Sequence, residues 1–263
     1  MLLSFVISAI LLSALIAARY FLVAGFFHWL VWSNGGRSDW ARRLARRKPS
    51  PKMMRHERNW SLVASGIYGV AGAIVFVAWE AGGTALYTNL TAADIWYIPL
   101  SIGLCLFIHD TWFYWTHRVM HHPRLFAATH RTHHISHDPS PWAAFSFSPW
   151  ESLSGAILLP AVAFFLPLHL GAVFFVLAVM TLASVLNHLG WEIFPDSWIA
   201  GRFGRIFITA THHTVHHHDY GANFGLYFRF WDRVMGTDVL EAHYPHLQSA
   251  TGGDPQPTVA PGE

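Results

Sequence analysis

The sequence predicts an all-α integral membrane protein, a helical bundle with four or five buried segments and a histidine-rich metal site on its cytoplasmic side. Of the 263 residues, 53% are hydrophobic and only 12% are charged, a balance outside that of soluble domains. Several apolar stretches are long enough to cross about 30 Å of hydrocarbon, and histidine clusters follow them. The single cysteine, Cys105, excludes a disulfide framework and a cysteine-rich zinc or iron–sulfur site.

The first predicted element is a membrane anchor over residues 2–31. Its apolar run lacks a basic start, continues past Arg19 and is followed by no small-residue cleavage site, so a retained helix is favoured over a signal peptide. A loop with nine Lys and Arg side chains between residues 37 and 58 comes next, whereas residues 81–94 carry none. This asymmetry predicts that the basic loop faces the cytoplasm.

Three further apolar stretches cover residues 60–79, 95–115 and 156–186. The last is too long for one crossing, and its prolines predict a helical hairpin that turns at residues 167–171, or equally a re-entrant hairpin. Along this path every histidine cluster reaches the side of the basic loop without crossing the membrane.

These patterns divide the chain into three predicted regions. Residues 1–94 hold the anchor helices and the basic loop, and residues 95–246 form the histidine-rich catalytic part. Residues 247–263, rich in Gly, Pro and Thr, are predicted to be a disordered tail.

Three histidine boxes indicate a metal site. Residues three and four apart share one face of a helix, so each box directs two or three imidazoles the same way. Imidazole is a ligand suited to iron, zinc, copper and nickel. The boxes are His117-Arg-Val-Met-His121, His130-Arg-Thr-His133-His134 and His213-Thr-Val-His216-His217.

The sequence around the boxes resembles the fatty acid hydroxylase and sterol desaturase superfamily over about residues 95–238. The resemblance lies in the order and spacing of the boxes and in three flanking motifs. These motifs are His109-Asp-Thr-Trp-Phe-Tyr-Trp-Thr-His117-Arg, Asn223-Phe-Gly225 and Trp231-Asp-Arg-Val-Met-Gly-Thr237. It implies a membrane-bound helical enzyme whose non-haem metal pair, usually two irons, activates dioxygen to hydroxylate or desaturate lipids.

Position by position, the resemblance implies nine metal ligands. They are the eight box residues His117, His121, His130, His133, His134, His213, His216 and His217, together with His188 in Asn187-His-Leu-Gly190. Fatty acid 2-hydroxylase relatives place another histidine where this chain has Ser184. We predict that His109 compensates as a tenth ligand, because it precedes His117 by eight residues and so lies within about 80° of it around a helix.

The resemblance further implies two iron ions (Fe²⁺/Fe³⁺), for which zinc substitutes in purified protein, and a lipid substrate within the membrane. Each turnover needs two external electrons, yet the chain shows no flavin, nicotinamide or haem motif. A separate electron carrier and reductase are therefore expected, and docking of an acidic carrier is an alternative role for the basic loop. No nucleic-acid-binding motif accompanies the basic residues, and the oligomeric state is left open.

Other functions are compatible with the same histidine boxes. Within the superfamily, a carotenoid or ether-lipid hydroxylase would use similar boxes, and a non-catalytic zinc- or nickel-binding membrane protein would also be rich in histidine. The few charged residues and the lack of a C-terminal retention signal favour a bacterial inner membrane over the endoplasmic reticulum.

Carboxylates near the boxes are predicted to accept the second N–H of the ligand rings. They are Asp110, Asp138, Glu151, Glu192 and Asp219.

Asp232 and Arg233 are predicted to form a structural ion pair. Four histidines that adjoin the boxes but fall off their spacing are predicted to stay outside the ligand set, namely His122, His137, His212 and His218.

Overall fold

The computed structural model describes residues 1–33, 41–244 and 247. Within them the chain is mostly helical, with long helices joined to a set of short ones. The helices are α1 (Leu2–His28), α2 (Pro51–Glu80), α3 (Asp94–Met120), α4 (Pro123–Thr129), α5 (Arg131–His134), α6 (Pro149–Phe165), α7 (Leu170–Asn187), α8 (Asp196–Ala200), α9 (Arg202–Ile206), α10 (Ala210–His218), α11 (Phe230–Val234) and α12 (Leu240–His243). A π-helical turn, Trp29–Ser33, extends α1, and a 3-10 helix, Pro141–Phe145, precedes α6.

Local sequence fixes where the helices that bear on the metal site begin. The Ser50 side chain accepts the backbone N–H of Met53 at the start of α2, and the Ser148 side chain accepts that of Glu151 at the start of α6. A proline follows each of these serines, in a position where its missing N–H has no consequence. At α10, Thr209 forms a reciprocal capping box with His212.

The long helices pack through small residues and one aromatic cluster. α1 lies along α2, and a Cβ added to Gly69 of α2 would come within 2.6 Å of the backbone nitrogen of Ser13. α2 also packs on α6 and on the 3-10 helix, while α3 packs on α6 and α7. The buried Tyr20 hydroxyl donates to the carbonyl of Trp142 at 2.7 Å, which joins α1 to the segment that follows the second histidine box.

Two short strand pairs tie the opposite ends of the bundle. Strand β2 (Leu86–Tyr87) pairs in parallel with β3 (Leu168–His169), so the α2–α3 loop meets the α6–α7 turn. At the other end, β1 (Arg42–Arg43) pairs antiparallel with β4 (Trp191–Glu192). The basic segment therefore lies at the end of the bundle where α3 and α7 finish, and the predicted hairpin near residue 167 is confirmed as the turn between α6 and α7.

Three helices of the described chain are long and apolar enough to cross a membrane. They are Leu2–Ser33, Pro51–Glu80 and Leu170–Asn187. α6 is apolar but shorter, and α3, although 27 residues long, is not one of the three. The chain is thus a mostly helical membrane protein, with fewer clear crossing helices than the four or five predicted. Helix α2 also begins nine residues before the predicted apolar stretch.

Some predictions fall outside the described residues. Arg37 of the basic loop and the tail beyond Leu247 belong to this group. The division of the chain at residue 94 stays a prediction.

Candidate metal centre

Nine of the ten predicted ligands form two adjacent groups at the end of the bundle where α3 and α7 finish. In each group the ring nitrogens lie within 4.8 Å of one another. The five-histidine group is His117, His121, His130, His134 and His216, and the four-histidine group is His133, His188, His213 and His217. His121 is partly buried and the others are buried. The groups touch, since the ring centroids of His134 and His217 are 4.7 Å apart.

The spacing of the ring nitrogens fits metal coordination. Within the two groups, five pairs of Nε2 atoms are 2.8 to 3.2 Å apart. Two imidazole nitrogens that bind one ion at about 2.1 Å and at a right angle to each other are about 3 Å apart. The lone pairs of each group can therefore converge on one ion, and two neighbouring groups give room for two ions.

Backbone carbonyls orient three of the ligand rings. Each accepts the N–H of a ring Nδ1, which leaves the lone pair on Nε2 directed into the group. The pairs are His117 with Phe224, His216 with Ala222 and His188 with Ser184, at 2.8, 2.7 and 2.6 Å. Two of these carbonyls belong to one loop, residues 222–225, which follows the third box.

That loop is shaped by residues of the two C-terminal motifs. Asn223 adopts a left-handed conformation with φ of 52°, and a Cβ on Gly225 would lie 2.6 Å from the carbonyl oxygen of Phe228. The buried Asp232 carboxylate accepts the backbone N–H groups of Phe224 and Gly225, each at 2.8 Å. The Asn-Phe-Gly and Trp-Asp motifs thus fold together to hold the carbonyl that orients His117.

Only one of the five carboxylates predicted to support a ligand ring contacts one of the nine histidines in the described structure. An oxygen of the buried Glu151 lies 2.8 Å from Nδ1 of His130, although the ring N–H is not aligned on that oxygen and Nδ1 makes no hydrogen bond within the described residues. The other four have different partners. Asp110 accepts backbone N–H groups of residues 226–228, Glu192 accepts from Thr211, Asp138 accepts from the backbone of residues 46 and 47, and Asp219 accepts from Gly221.

The predicted ion pair between Asp232 and Arg233 is wrong. Asp232 faces inward to the 222–225 loop, whereas Arg233 lies 3.4 Å from Asp238. The stronger partner of Asp238 is the buried Arg229, at 2.7 Å. Adjacent residues of a short helix point in different directions, which explains the separate partners.

His109 joins neither group. It is buried on α3, about two helical turns before His117, and its Nδ1 lies 3.0 Å from the Tyr227 hydroxyl. Ser184, at the position of the additional histidine in some relatives, donates its hydroxyl to the carbonyl of Ala144 at 2.7 Å. The structure therefore brings together nine histidines rather than ten.

The four histidines that adjoin the boxes lie outside both groups. His212 caps α10, and His122 caps α4 by accepting from Arg124. His218 lies 3.5 Å from Asp138. His137 contacts the hydroxyl of Tyr220 at 3.2 Å, and the Tyr220 ring rests on His134 with centroids 4.4 Å apart. Sequence reasoning missed Tyr220, although its place three residues after the third box puts it beside the ligands.

Burial keeps the third-box imidazoles neutral. It lowers the pKa of His213, His216 and His217 well below the usual value, and the charge of neighbouring histidines lowers it further. A neutral imidazole is the metal-binding form. The residues present thus fit a pair of transition-metal ions in donor type, geometry and protonation.

An apolar cavity of about 190 Å³ lies beside the centre, between α3, α7 and the chain from residue 192 to residue 210. Its wall includes Asn187, next to the ligand His188, and Ala210, which begins the helix of the third box. Aromatic and aliphatic side chains such as Phe194 and Phe207 line most of the remainder. The cavity suits an apolar molecule.

This combination of apolar helices and a nine-histidine cluster is typical of histidine-box membrane metalloproteins. The family model for fatty acid hydroxylase matches residues 102–237, which contain both groups. The chain belongs to the fatty acid hydroxylase family.

Curated relatives include several sterol-modifying enzymes. The chain is 28% identical to the Delta(7)-sterol 5(6)-desaturase of Gibberella zeae, over 59% of its own length and 47% of that protein. It is 32% identical to the C-4 methylsterol oxidase of Schizosaccharomyces pombe, over 52% and 46%, and 29% identical to the lathosterol oxidase of Rattus norvegicus, over 62% and 51%. The chain spans about half the length of these relatives. No solved structure matches it.

Proposed function

We propose that this protein is a membrane-bound non-haem di-iron oxygenase that hydroxylates or desaturates a C–H bond of a lipid, using dioxygen and two external electrons. The observation that carries the proposal is the convergence of nine histidines on two adjacent groups at one end of an apolar bundle. Iron held there supplies the activation of dioxygen that amino acid side chains cannot provide.

The chain's own residues hold and orient the centre. The five-histidine and four-histidine groups are the proposed ligands of one iron each, and His109 is left out because it lies with Tyr227. The 222–225 loop fixes His117 and His216 by hydrogen bonds, and the Glu151 carboxylate lies 2.8 Å from His130. Such outer partners set ring orientation and ligand basicity.

A sterol-like lipid is the proposed substrate class, and fatty acyl lipids are the next. The relatives' names concern sterol desaturation and sterol oxidation, and the apolar cavity adjoins the four-histidine group through Asn187. Carotenoid and ether-lipid substrates are alternatives within the same chemistry. Mass spectrometry of the products identifies the lipid substrate. When the reaction is run under ¹⁸O₂ it also separates the two reaction types, since hydroxylation incorporates the label into the lipid and desaturation does not.

We further propose that the centre faces the cytoplasm and that a separate carrier and reductase supply electrons. The basic segment from residue 41 to residue 58 lies at the histidine end of the bundle, and the loop at the opposite end, residues 81–93, has no Lys or Arg. Such an asymmetry favours the cytoplasm for the basic end. A bacterial inner membrane stays a prediction, and the relatives named above are from fungi and a rat.

The test is metal analysis with Mössbauer spectroscopy of iron-57-loaded protein in detergent. We expect about two coupled irons per chain, as in other two-metal sites, and their loss in a His133→Ala/His216→Ala double variant, which removes one ligand from each group. The matched control is a His137→Ala/His169→Ala double variant, which lies outside both groups and should retain the metal. Zinc that iron does not replace, with no oxygen consumption, would instead support the metal-binding alternative.

A further inference from the structure

We propose that Tyr220, together with exposed His137, forms the route by which electrons from an acidic one-electron carrier protein reach the five-histidine group. The inference rests on the proposed oxygenase function and deepens it by naming where the carrier docks. It concerns residues that the metal site itself does not use.

Tyr220 is placed between the surface and the metal ligands. Its ring centroid is 4.4 Å from that of His134 and 5.8 Å from that of His121. On its outer side the ring stacks on His137 with an angle of 19° between the planes, and its hydroxyl is 3.2 Å from Nε2 of His137. His137 is exposed and Tyr220 is partly buried.

Tyr220 and His137 form a short path of ring contacts from the protein surface to His134. The four-histidine group is fully buried, and His121 of the five-histidine group is the one ligand of the nine that is partly exposed. Electron tunnelling slows steeply as the gap between donor and acceptor widens. A carrier that contacts His137 would be separated from His134 by two aromatic rings, those of His137 and Tyr220.

The surface around His137 carries positive charge. Arg46 and Arg47 are exposed, and their backbone N–H groups bond to Asp138, the residue after His137, at 2.8 and 3.2 Å. Exposed Lys48 follows. Two carboxylates are also near, since Asp138 is 3.5 Å from His218 and Asp219 is 3.8 Å from His243. Histidine offsets a carboxylate charge only when it is protonated, so the positive charge of this surface rests on the three exposed cationic residues, which outnumber the two carboxylates. The surface therefore favours a partner with an acidic face.

The transfer leaves bonds unchanged. Each reduced carrier molecule loses one electron, and an iron ion in the centre gains it. Two carrier molecules supply the two electrons of one turnover. Tyr220 provides the contact path and is neither oxidised nor reduced overall.

The experiment uses the iron-loaded, full-length protein in lipid nanodiscs under anaerobic conditions. Its oxidised irons are mixed with reduced plant-type [2Fe–2S] ferredoxin, an acidic carrier, and their reduction is followed by stopped-flow absorbance. Reduced methyl viologen, a small cation that needs no docking surface, serves as the second reductant.

Two variants of Tyr220 distinguish the role of its ring from the role of its hydroxyl. Tyr220→Phe keeps the ring and should be reduced by ferredoxin at close to the parent rate. Tyr220→Leu should be reduced more slowly at saturating ferredoxin, with iron content equal to that of the parent. Parent-like reduction of the leucine variant would overturn the route.

For the docking surface, an Arg46→Glu/Arg47→Glu variant should lower the rate at low salt about 10- to 1,000-fold, the range of electrostatic steering. Binding of ferredoxin to the metal-free protein should weaken as well. The control is Arg202→Glu/Arg205→Glu, which reverses two exposed charges on α9 and should change neither quantity. Equal effects of both variants, or a parent rate independent of salt, would refute the assignment.

The two reductants separate this inference from the function on which it rests. If neither ferredoxin nor viologen reduces bound metal, the oxygenase proposal fails. If viologen reduces the irons of every variant alike while the Tyr220 and arginine changes leave ferredoxin transfer unaltered, only the electron route fails.

Discussion

At the scale of single residues, the centre depends on how each imidazole is held. Glu151 is the only carboxylate of the described residues that forms an ion-pair contact with one of the nine histidines, and it does so from the first turn of α6, a helix that carries none of them. Its second oxygen, Oε2, is buried without a hydrogen-bond partner within the described structure. Glu151 thus places the start of α6 in contact with His130.

We expect Glu151→Gln to lower iron affinity about 10- to 100-fold, the usual effect of losing a carboxylate that orients a ligand histidine. The amide keeps the size of the side chain but loses its charge. Competitive titration of the metal-free protein with a chelator measures the affinity. Glu80→Gln, at the far end of α2, is the matched control, and an affinity equal to the parent's in Glu151→Gln would contradict the role.

The two histidine groups were predictable from sequence, but the residues that contact and orient their rings were not. Spacing of three and four residues identifies His213, His216 and His217, because helical geometry alone puts them on one face. Choosing Glu151 over Asp110 requires the approach of α6 to the end of α4, where His130 lies, a long-range contact that no local pattern encodes. The same limit explains the position of His109, which lies on the helix of His117 but contacts Tyr227 and stands outside both groups.

At the scale of elements, the bundle depends on the contact between α1 and α2. Apolar helices in a lipid environment associate through close packing of small residues, since lipid tails are as apolar as the side chains. Gly69 meets the backbone of Ser13, whereas a Cβ at Gly66, one turn earlier, has no heavy atom within 4 Å. The two glycines of one helix thus have different surroundings.

We therefore expect Gly69→Val to destabilise the protein by about 1 to 3 kcal/mol, the usual cost of overpacking, and Gly66→Val to have a much smaller effect. Thermal unfolding in detergent, followed by circular dichroism, compares the two variants. Equal melting temperatures would show that α1 and α2 do not pack as described.

Helix ends were predictable only where the sequence marks them. The turn between α6 and α7 was predicted from Pro167, and it lies there. The start of α2 at Pro51 was missed because its first turns are basic and polar, so the apolar run begins only at Trp60. A helix keeps the same backbone conformation where it extends beyond the membrane, so hydropathy alone does not detect its polar turns.

At the scale of the whole molecule, the cavity beside α7 adjoins the centre, because its wall includes Asn187, the residue before His188. Ala183 lines it, whereas Leu182 is an exposed neighbour on the same helix. We expect Ala183→Phe to fill part of the cavity and lower turnover of a sterol substrate while metal content and melting temperature hold. Leu182→Phe is the control, and unchanged turnover in the Ala183 variant would mean that the lipid binds elsewhere.

The pH dependence of stability follows from burying so many neutral histidines together. Burial lowers the pKa of His213, His216 and His217 well below the usual value, whereas in the unfolded chain they take up protons below about pH 6.5. The unfolded state then binds more protons than the native state, so the free energy of unfolding falls as pH falls. Each histidine contributes up to about 1.4 kcal/mol per pH unit in this range.

We expect the melting temperature of the metal-free protein to be level above about pH 7 and to fall steeply below about pH 6.5, where unfolded histidines become charged. Bound metal should move the fall to lower pH, because protons then compete with the ion for the same nitrogens. A His213→Gln/His217→Gln variant removes two of the titrating groups and should give a shallower fall. A metal-free protein equally stable at pH 7.5 and 5.5 would mean that these histidines are not buried together in the neutral form.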